Sequence, residues 1–173
     1  ASVGLNKNDI NAQAAGPANV WKLFIAGKAD AMAAVPDWIA IAQGSGVKVN
    51  IFPADDYFKS MAQAILVSDT TIRERPELVR KLVRATLRGL KVVMDDPAAA
   101  SVEYVKAIPQ HKGKEKAMEH TFRLYNKYVY PGQKVLGAMD SERLEALQKF
   151  YVEQGILRRA LPLSDLYTNQ FIE

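Results

Sequence analysis

Two histidines, His111 and His120, stand nine residues apart in a lysine-rich stretch. Helical metal sites use His-x-x-x-His or His-Glu-x-x-His spacing, and these two residues fit neither, so they read as surface histidines on basic sequence. Gly44-Ser45-Gly46 is not a Gly-x-Ser-x-Gly elbow, and no histidine or acid is placed to serve Ser45; it reads as a turn. Neither Gly-x-Gly-x-x-Gly nor a P-loop pattern occurs, so no glycine-rich loop is set to cradle phosphate. Paired carboxylates occur at Asp55-Asp56 and Asp95-Asp96. The second pair precedes Pro97 and reads as a helix end and cap. The first, beside Tyr57 and Phe58, reads as a solvated turn or as a pair facing a cleft. Basic residues recur at Arg80, Arg84, Arg88 and Lys91, on the side of a helix opposite its apolar stripe. A solvated helix face accounts for them, supported by Glu77 one turn before Lys81. The aromatic and amide side chains that would reinforce a nucleic-acid surface are missing. No acid, base and nucleophile assemble, which favours a binding module over an enzyme.

The chain that must position these residues has 173 amino acids and a mass of 19.2 kDa, enough for one ordinary domain or two small lobes. Hydrophobic residues make up 49% and charged residues 24%, ordinary globular values that exclude disordered and fibrous classes. The formal charge of +4 suits anionic ligands and is too small to indicate nucleic acid. The absence of cysteine excludes disulfides, thiolate metal sites, cysteine nucleophiles and iron–sulfur clusters. No apolar run reaches the ~20 residues of a membrane helix. No signal peptide is visible at Ala1 to Leu5, and the opening residues read as the end of a helix, as in a partial protein.

Residues 5–9 read as a helix end and turn. Weak alternation at residues 10–15 suggests a short strand. Asn19 can cap a helix over residues 20–26 that Gly27 closes. The small, nearly uncharged residues 29–35 suit a buried strand. Pro36 opens a helical segment that Gly44-Ser45-Gly46 ends. Val47, Val49 and Ile51 then alternate with polar residues, the clearest strand pattern in the chain. The first fifty residues so read β-α-β-α-β, a unit of parallel or mixed α/β sheets. Residues 61–67 form a further apolar strand candidate. Beyond Asp69 the pattern is helical: a capping box at Thr71 and Glu74, then a long helix from Pro76 with Val79, Leu82, Val83, Leu87, Leu90 and Met94 at helical period. Three more helices follow, after Asp96, from about Lys114 to Tyr128, and after Asp140, the last ended by Gly155. The tail to Ile172 is expected to dock on the body.

The order of these features resembles a known group. Gly16-Pro17-Ala18-Asn19, Ala26-Gly27-Lys28-Ala29-Asp30-Ala31 and Val35-Pro36-Asp37-Trp38 are similar to a stretch of ABC-importer substrate-binding proteins of the nitrate/sulfonate/taurine/pyrimidine type. Ile72 to Val79, with Pro76-Glu77-Leu78-Val79 at its end, matches the start of that group's long helix. Asp96-Pro97-Ala98-Ala99-Ala100, Gly137-Ala138-Met139-Asp140, Gly155-Ile156-Leu157 and the stretch from Asp165 to Phe171 resemble its later landmarks.

That resemblance implies an α/β fold, part of a type II periplasmic binding protein, with a β-α-β-α-β segment followed by a helical C-terminal half. Residues 1–55 would be a partial lobe II and residues 56–173 the return into lobe I with the C-terminal helices. The group's N-terminal lobe and Gly/Ser-rich ligand loop are absent, so the chain reads as the second half of such a protein. The implied function is binding of a small anionic or heterocyclic ligand in a cleft between lobes that close about a hinge near residues 52–61. The implied partner is an ABC permease in the membrane, with no nucleic acid and no cofactor. The group's members are monomers, with a dimer as the alternative for a fragment, and the setting is periplasmic or extracytoplasmic, with or without a lipid anchor. Relatives that synthesise pyrimidines need cysteines and an active-site histidine, and this chain has no cysteine. Asn19, Pro36, Asp37, Trp38 and Tyr57 are the expected ligand-binding residues, although Trp38 reads first as core and Pro36 and Asp37 are the better cleft candidates; no catalytic residue and no metal ligand is expected. The alternative is a non-catalytic α/β-plus-helical protein-interaction domain.

Overall fold

The computed structural model describes residues 4, 6–59, 61 and 63–172. Its α-helices are α1 (Val20–Ile25), α2 (Pro36–Gly44), α3 (Asp69–Glu74), α4 (Pro76–Asp95), α5 (Pro97–Ala107), α6 (Glu115–Tyr128) and α7 (Ser141–Glu153). The chain divides into two compact units, residues 1–52 with 96–129 and residues 53–95 with 130–173. Of the helix end and turn expected at residues 5–9, residue 5 lies outside the described residues and Lys7–Asp9 form a 3-10 turn capped by Asn6.

The first unit holds α1, α2, α5 and α6, with α5 and α2 both packed on α6 and α1 on α2. Local chemistry sets the helix ends. Proline at the first position, where an amide N–H has no partner anyway, starts α2 and α5. The Asp96 carboxylate accepts from the N–H groups of Ala98 and Ala99 at 3.1 and 3.0 Å, the cap its sequence position predicts. At the end of α2 the Gly46 N–H donates to Gln43 and the Val47 N–H to Ala42, a paired closure that requires φ of +84° at residue 46 and hence glycine. Most buried residues of this unit are small: Ala42, Ala100, Ser101, Val105 and Thr121, with Pro36, Pro97 and Leu124 beside them. The buried hydroxyls of Ser101 and Thr121 are satisfied within their own helices by the carbonyls of Ala98 and Ala117. Tyr104 meets Phe122 edge to face, with ring centroids 5.6 Å apart.

The second unit is built on α4. Val79 and Val83, from the predicted stripe, form its core with Phe171 of the tail, and Val67, Ile72, Leu87 and Ile172 pack around them. The tail is docked, as expected. It is held by amide side chains that imitate backbone pairing. Asn169 accepts from the Met139 N–H at 2.9 Å and donates to its carbonyl at 3.0 Å, and Gln148 of α7 does the same for Leu161 at 2.8 and 3.1 Å. Ser68, rather than Thr71, caps α3, accepting from the Thr71 N–H. Arg75 then leaves helical geometry before Pro76 restarts the chain as α4.

The α/β expectation is overturned. The described residues form helices and 3-10 turns with no strand, so the β-α-β-α-β reading of the first fifty residues fails. Residues 10–15, 29–35 and 47–51 belong to no ladder; neither do the described residues of 61–67, Ala62 lying outside them. The physical reason is plain at residues 47–51. Val47, Val49 and Ile51 are half-buried while Lys48 and Asn50 are exposed, so the alternation truly reports one-sided burial. A strand also needs a neighbour about 4.8 Å away to exchange N–H and C=O bonds, and alternation carries no information about that neighbour.

Candidate functional site

The expected ligand residues fall into two sets. Asn19, Pro36, Asp37 and Trp38 belong to the first unit and Tyr57 to the second. Asn19 is the exposed N-cap of α1, and its side chain makes no capping bond. Pro36, Asp37 and Trp38 form the first turn of α2. Pro36 is buried, Trp38 half-buried and Asp37 exposed. Tyr57 ends the 3-10 turn Ala54–Asp56 and is 54% exposed.

Asp37 has a partner that local sequence could not supply. The Tyr125 hydroxyl of α6 donates to its carboxylate at 2.6 Å, across 88 residues of chain. At the other end of α2, Gln43 Oε1 lies 2.7 Å from His120 Nε2, a pair that needs the Nε2–H tautomer or the imidazolium. The pairs Asp37–Tyr125 and Gln43–His120 run α2 and α6 antiparallel. They place a carboxylate, a phenol, an amide and an imidazole along one helix pair, beside an indole at position 38. Such a row offers hydrogen-bond donors and acceptors to a polar ligand and contains no activated nucleophile. His120, expected on the surface, is half-buried and structural. The described residues contain no cluster of His, Asp or Glu that could hold a metal ion, and no helix among them is long and apolar enough to cross a membrane.

In the second unit Asp55 serves structure. Arg143 of α7 grips it with both terminal nitrogens, at 2.6 and 3.3 Å, and Lys59 adds a bond at 2.8 Å. These bonds, Arg143 first and Lys59 second, hold the Asp55 carboxyl below its ordinary value of 3.8. Asp55 in turn raises the Arg143 guanidinium, which stays charged throughout. Because the folded carboxyl is the stronger acid, its stabilising contribution is fully present above pH 3.8 and is lost as pH falls below that value through the folded-state pKa. Asp55→Asn is expected to cost about 1 kcal/mol at pH 7, the pair being partly open to solvent, and progressively less as pH falls below 3.8. Urea midpoints at pH 7 and at a series of pH values below 3.8 check this, and a loss that does not shrink with falling pH would refute it. Two open hollows, of about 470 and 420 Å³, also lie in this unit, the first against Gln148 and Leu161 and the second between Lys91 and Tyr130. Neither is lined by an expected ligand residue.

Residues 1–100 match the family described as NMT1/THI5 like. The chain belongs to the NMT1/THI5-like family. It is also 30% identical over 135 residues to the riboflavin-binding protein RibY of Chloroflexus aurantiacus, a match covering 75% of this chain and 38% of that protein. The chain thus spans well under two thirds of the relative's length. No solved structure matches it. The family and the relative bear out the family resemblance carried by the Gly27 to Ala31, Val35 to Trp38 and Pro76 to Val79 motifs.

Proposed function

We propose that the chain is part of the solute-binding component of an ABC importer and that its ligand is a small aromatic heterocycle of the flavin or pyrimidine kind. The observation that carries this reading is the 30% identity, over three quarters of the chain, to a riboflavin-binding protein. The first turn of α2 supports it, because Trp38 offers a surface on which a flat ring can stack and Asp37 an acceptor for ring N–H groups. Asn19, Pro36 and Tyr57 complete the proposed ligand residues. In this reading the protein works on the outer side of the cytoplasmic membrane as a monomer, hands its ligand to a membrane permease and has no nucleic-acid partner. The net charge of +4 keeps nitrate and sulfonates, the zwitterion taurine among them, as the second ligand class.

Titration of riboflavin against the protein, followed by flavin fluorescence, tests the proposal. Saturable quenching is expected. A ligand at 100 times its dissociation constant adds ~2.7 kcal/mol, which for a chain of this size raises the melting temperature by about 5–11 °C. A shift from taurine or nitrate without one from riboflavin or an aminopyrimidine would replace the heterocycle by the anion. No response to any of them would overturn the binding reading.

A further inference from the structure

Tyr125 belongs to none of the sequence motifs and is not among the proposed ligand residues, yet it holds one of them. Its ring is half-buried on α6, which packs against α2, and Asp37 stands on the first turn of α2 beside Trp38. The hydroxyl donates to Asp37 Oδ2 at 2.6 Å, a length in the range of charge-assisted bonds. Among the described residues, Oδ1 of the same carboxylate has no hydrogen-bond partner. An aspartate on a helix surface ordinarily turns about both of its side-chain bonds, and a ligand that binds it must first stop that motion. Tyr125 stops it in advance. A tie between the two helices needs no carboxylate: at the other end of α2 the neutral amide oxygen of Gln43 meets His120 at 2.7 Å. A carboxylate in the same role keeps a second strong acceptor, Oδ1, that the tie does not use.

We infer that Tyr125 is a positioning residue that sets ligand specificity: by occupying Oδ2 it makes Asp37 a one-oxygen acceptor, which selects a ring imide over an aminopyrimidine. The inference rests on the heterocycle reading above and narrows it. In an imide, as at N3 of a flavin, the N–H lies between two carbonyl oxygens. A bare carboxylate accepting from it sets its second oxygen against one of those carbonyls, and the two repel. The Tyr125 hydroxyl engages Oδ2 and offsets part of that charge. A protonated aminopyrimidine has the opposite need. Its ring N–H and amino N–H are parallel donors, matched to both oxygens of a carboxylate as a guanidinium is. With Oδ2 already taken, such a ligand keeps one of its two bonds.

Dissociation constants for riboflavin, riboflavin methylated at N3 and 4-aminopyrimidine, measured on the full chain and on Tyr125→Phe, test the assignment. The wild-type chain is expected to prefer riboflavin to its N3-methyl derivative at least roughly tenfold, since methylation leaves a charged acceptor without its donor. This comparison needs no variant. Tyr125→Phe keeps the ring and its packing. It is expected to weaken riboflavin roughly tenfold, to leave the N3-methyl derivative within about twofold, and to strengthen 4-aminopyrimidine about threefold. A hydroxyl that only tied α2 to α6 would lower all three affinities together and leave their ratios unchanged. That result, equal wild-type binding of riboflavin and its N3-methyl derivative, or wild-type preference for 4-aminopyrimidine over riboflavin would overturn the role of Tyr125 and leave the heterocycle reading standing. Binding of none of the three ligands would overturn both.

Discussion

Phe171→Ala is expected to lower the stability of the protein by about 3–5 kcal/mol, the usual cost of truncating a buried phenylalanine. Phe171 lies in the irregular segment after α7, outside any helix. Here it is 7% exposed and completes the core made by Val79 and Val83 of α4, with the Arg80 guanidinium 5.7 Å from its ring centroid. Removing the ring leaves a cavity that the two valines cannot fill, because both are fixed on one helix and β-branched side chains have few alternative rotamers. Phe171→Leu keeps most of the volume and should cost less than about 1.5 kcal/mol. Urea unfolding at constant slope measures both changes. A loss below about 1 kcal/mol for Phe171→Ala would show that the tail lies on the core without completing it, and the clamp of Asn169 on Met139 would then be its main attachment.

What was legible in the sequence was local. Pro36, Pro76 and Pro97 start helices and Asp96 and Asp140 cap them, because each acts on groups within three residues of itself. The periodic stripe of α4 predicted Val79 and Val83 in the core for the same reason. Local signals still compete: the Thr71 and Glu74 box yields to Ser68, one turn earlier, and Leu82, counted in the core stripe, lies 49% exposed. Asp96 was read correctly as a cap, and Asp55 lies in the turn expected of it, but its ion pair was hidden because its partner Arg143 is 88 residues away. The same distance hides Tyr125 from Asp37, and 77 residues separate His120 from Gln43. Those contacts depend on how α6 lies on α2, which no periodicity records. The strands failed on a related ground: Val47, Val49 and Ile51 alternate in burial as expected, yet a ladder is a property of two segments and the pattern describes one.

Gly137→Ala is the second large effect, expected at about 2–5 kcal/mol, and it separates two reasons for glycine. Residue 137 has φ of +80°, where an L side chain costs about 1–2 kcal/mol. A Cβ there would also run into the δ-methyl groups of Leu87 on α4. Leu87 can escape only by rotating out of its place beside Val79 and Val83, and overpacking of that kind adds about 1–3 kcal/mol. Gly46→Ala supplies the comparison, since φ there is +84° but an added Cβ would meet nothing within 4 Å. Its cost should be the backbone strain alone, and the difference between the two variants is the packing of the residue-137 turn against α4. Melting temperatures should differ accordingly, by about 2–4 °C for each kcal/mol. Equal losses would mean that Leu87 yields freely and that only the backbone demands glycine at residue 137. Unequal losses would give the Gly137-Ala138-Met139-Asp140 motif a physical meaning at each of three positions. Gly137 lets the chain pass close to α4, Met139 receives the Asn169 clamp through its backbone, and Asp140 caps α7, so that Arg143, one turn on, is held where it can reach Asp55.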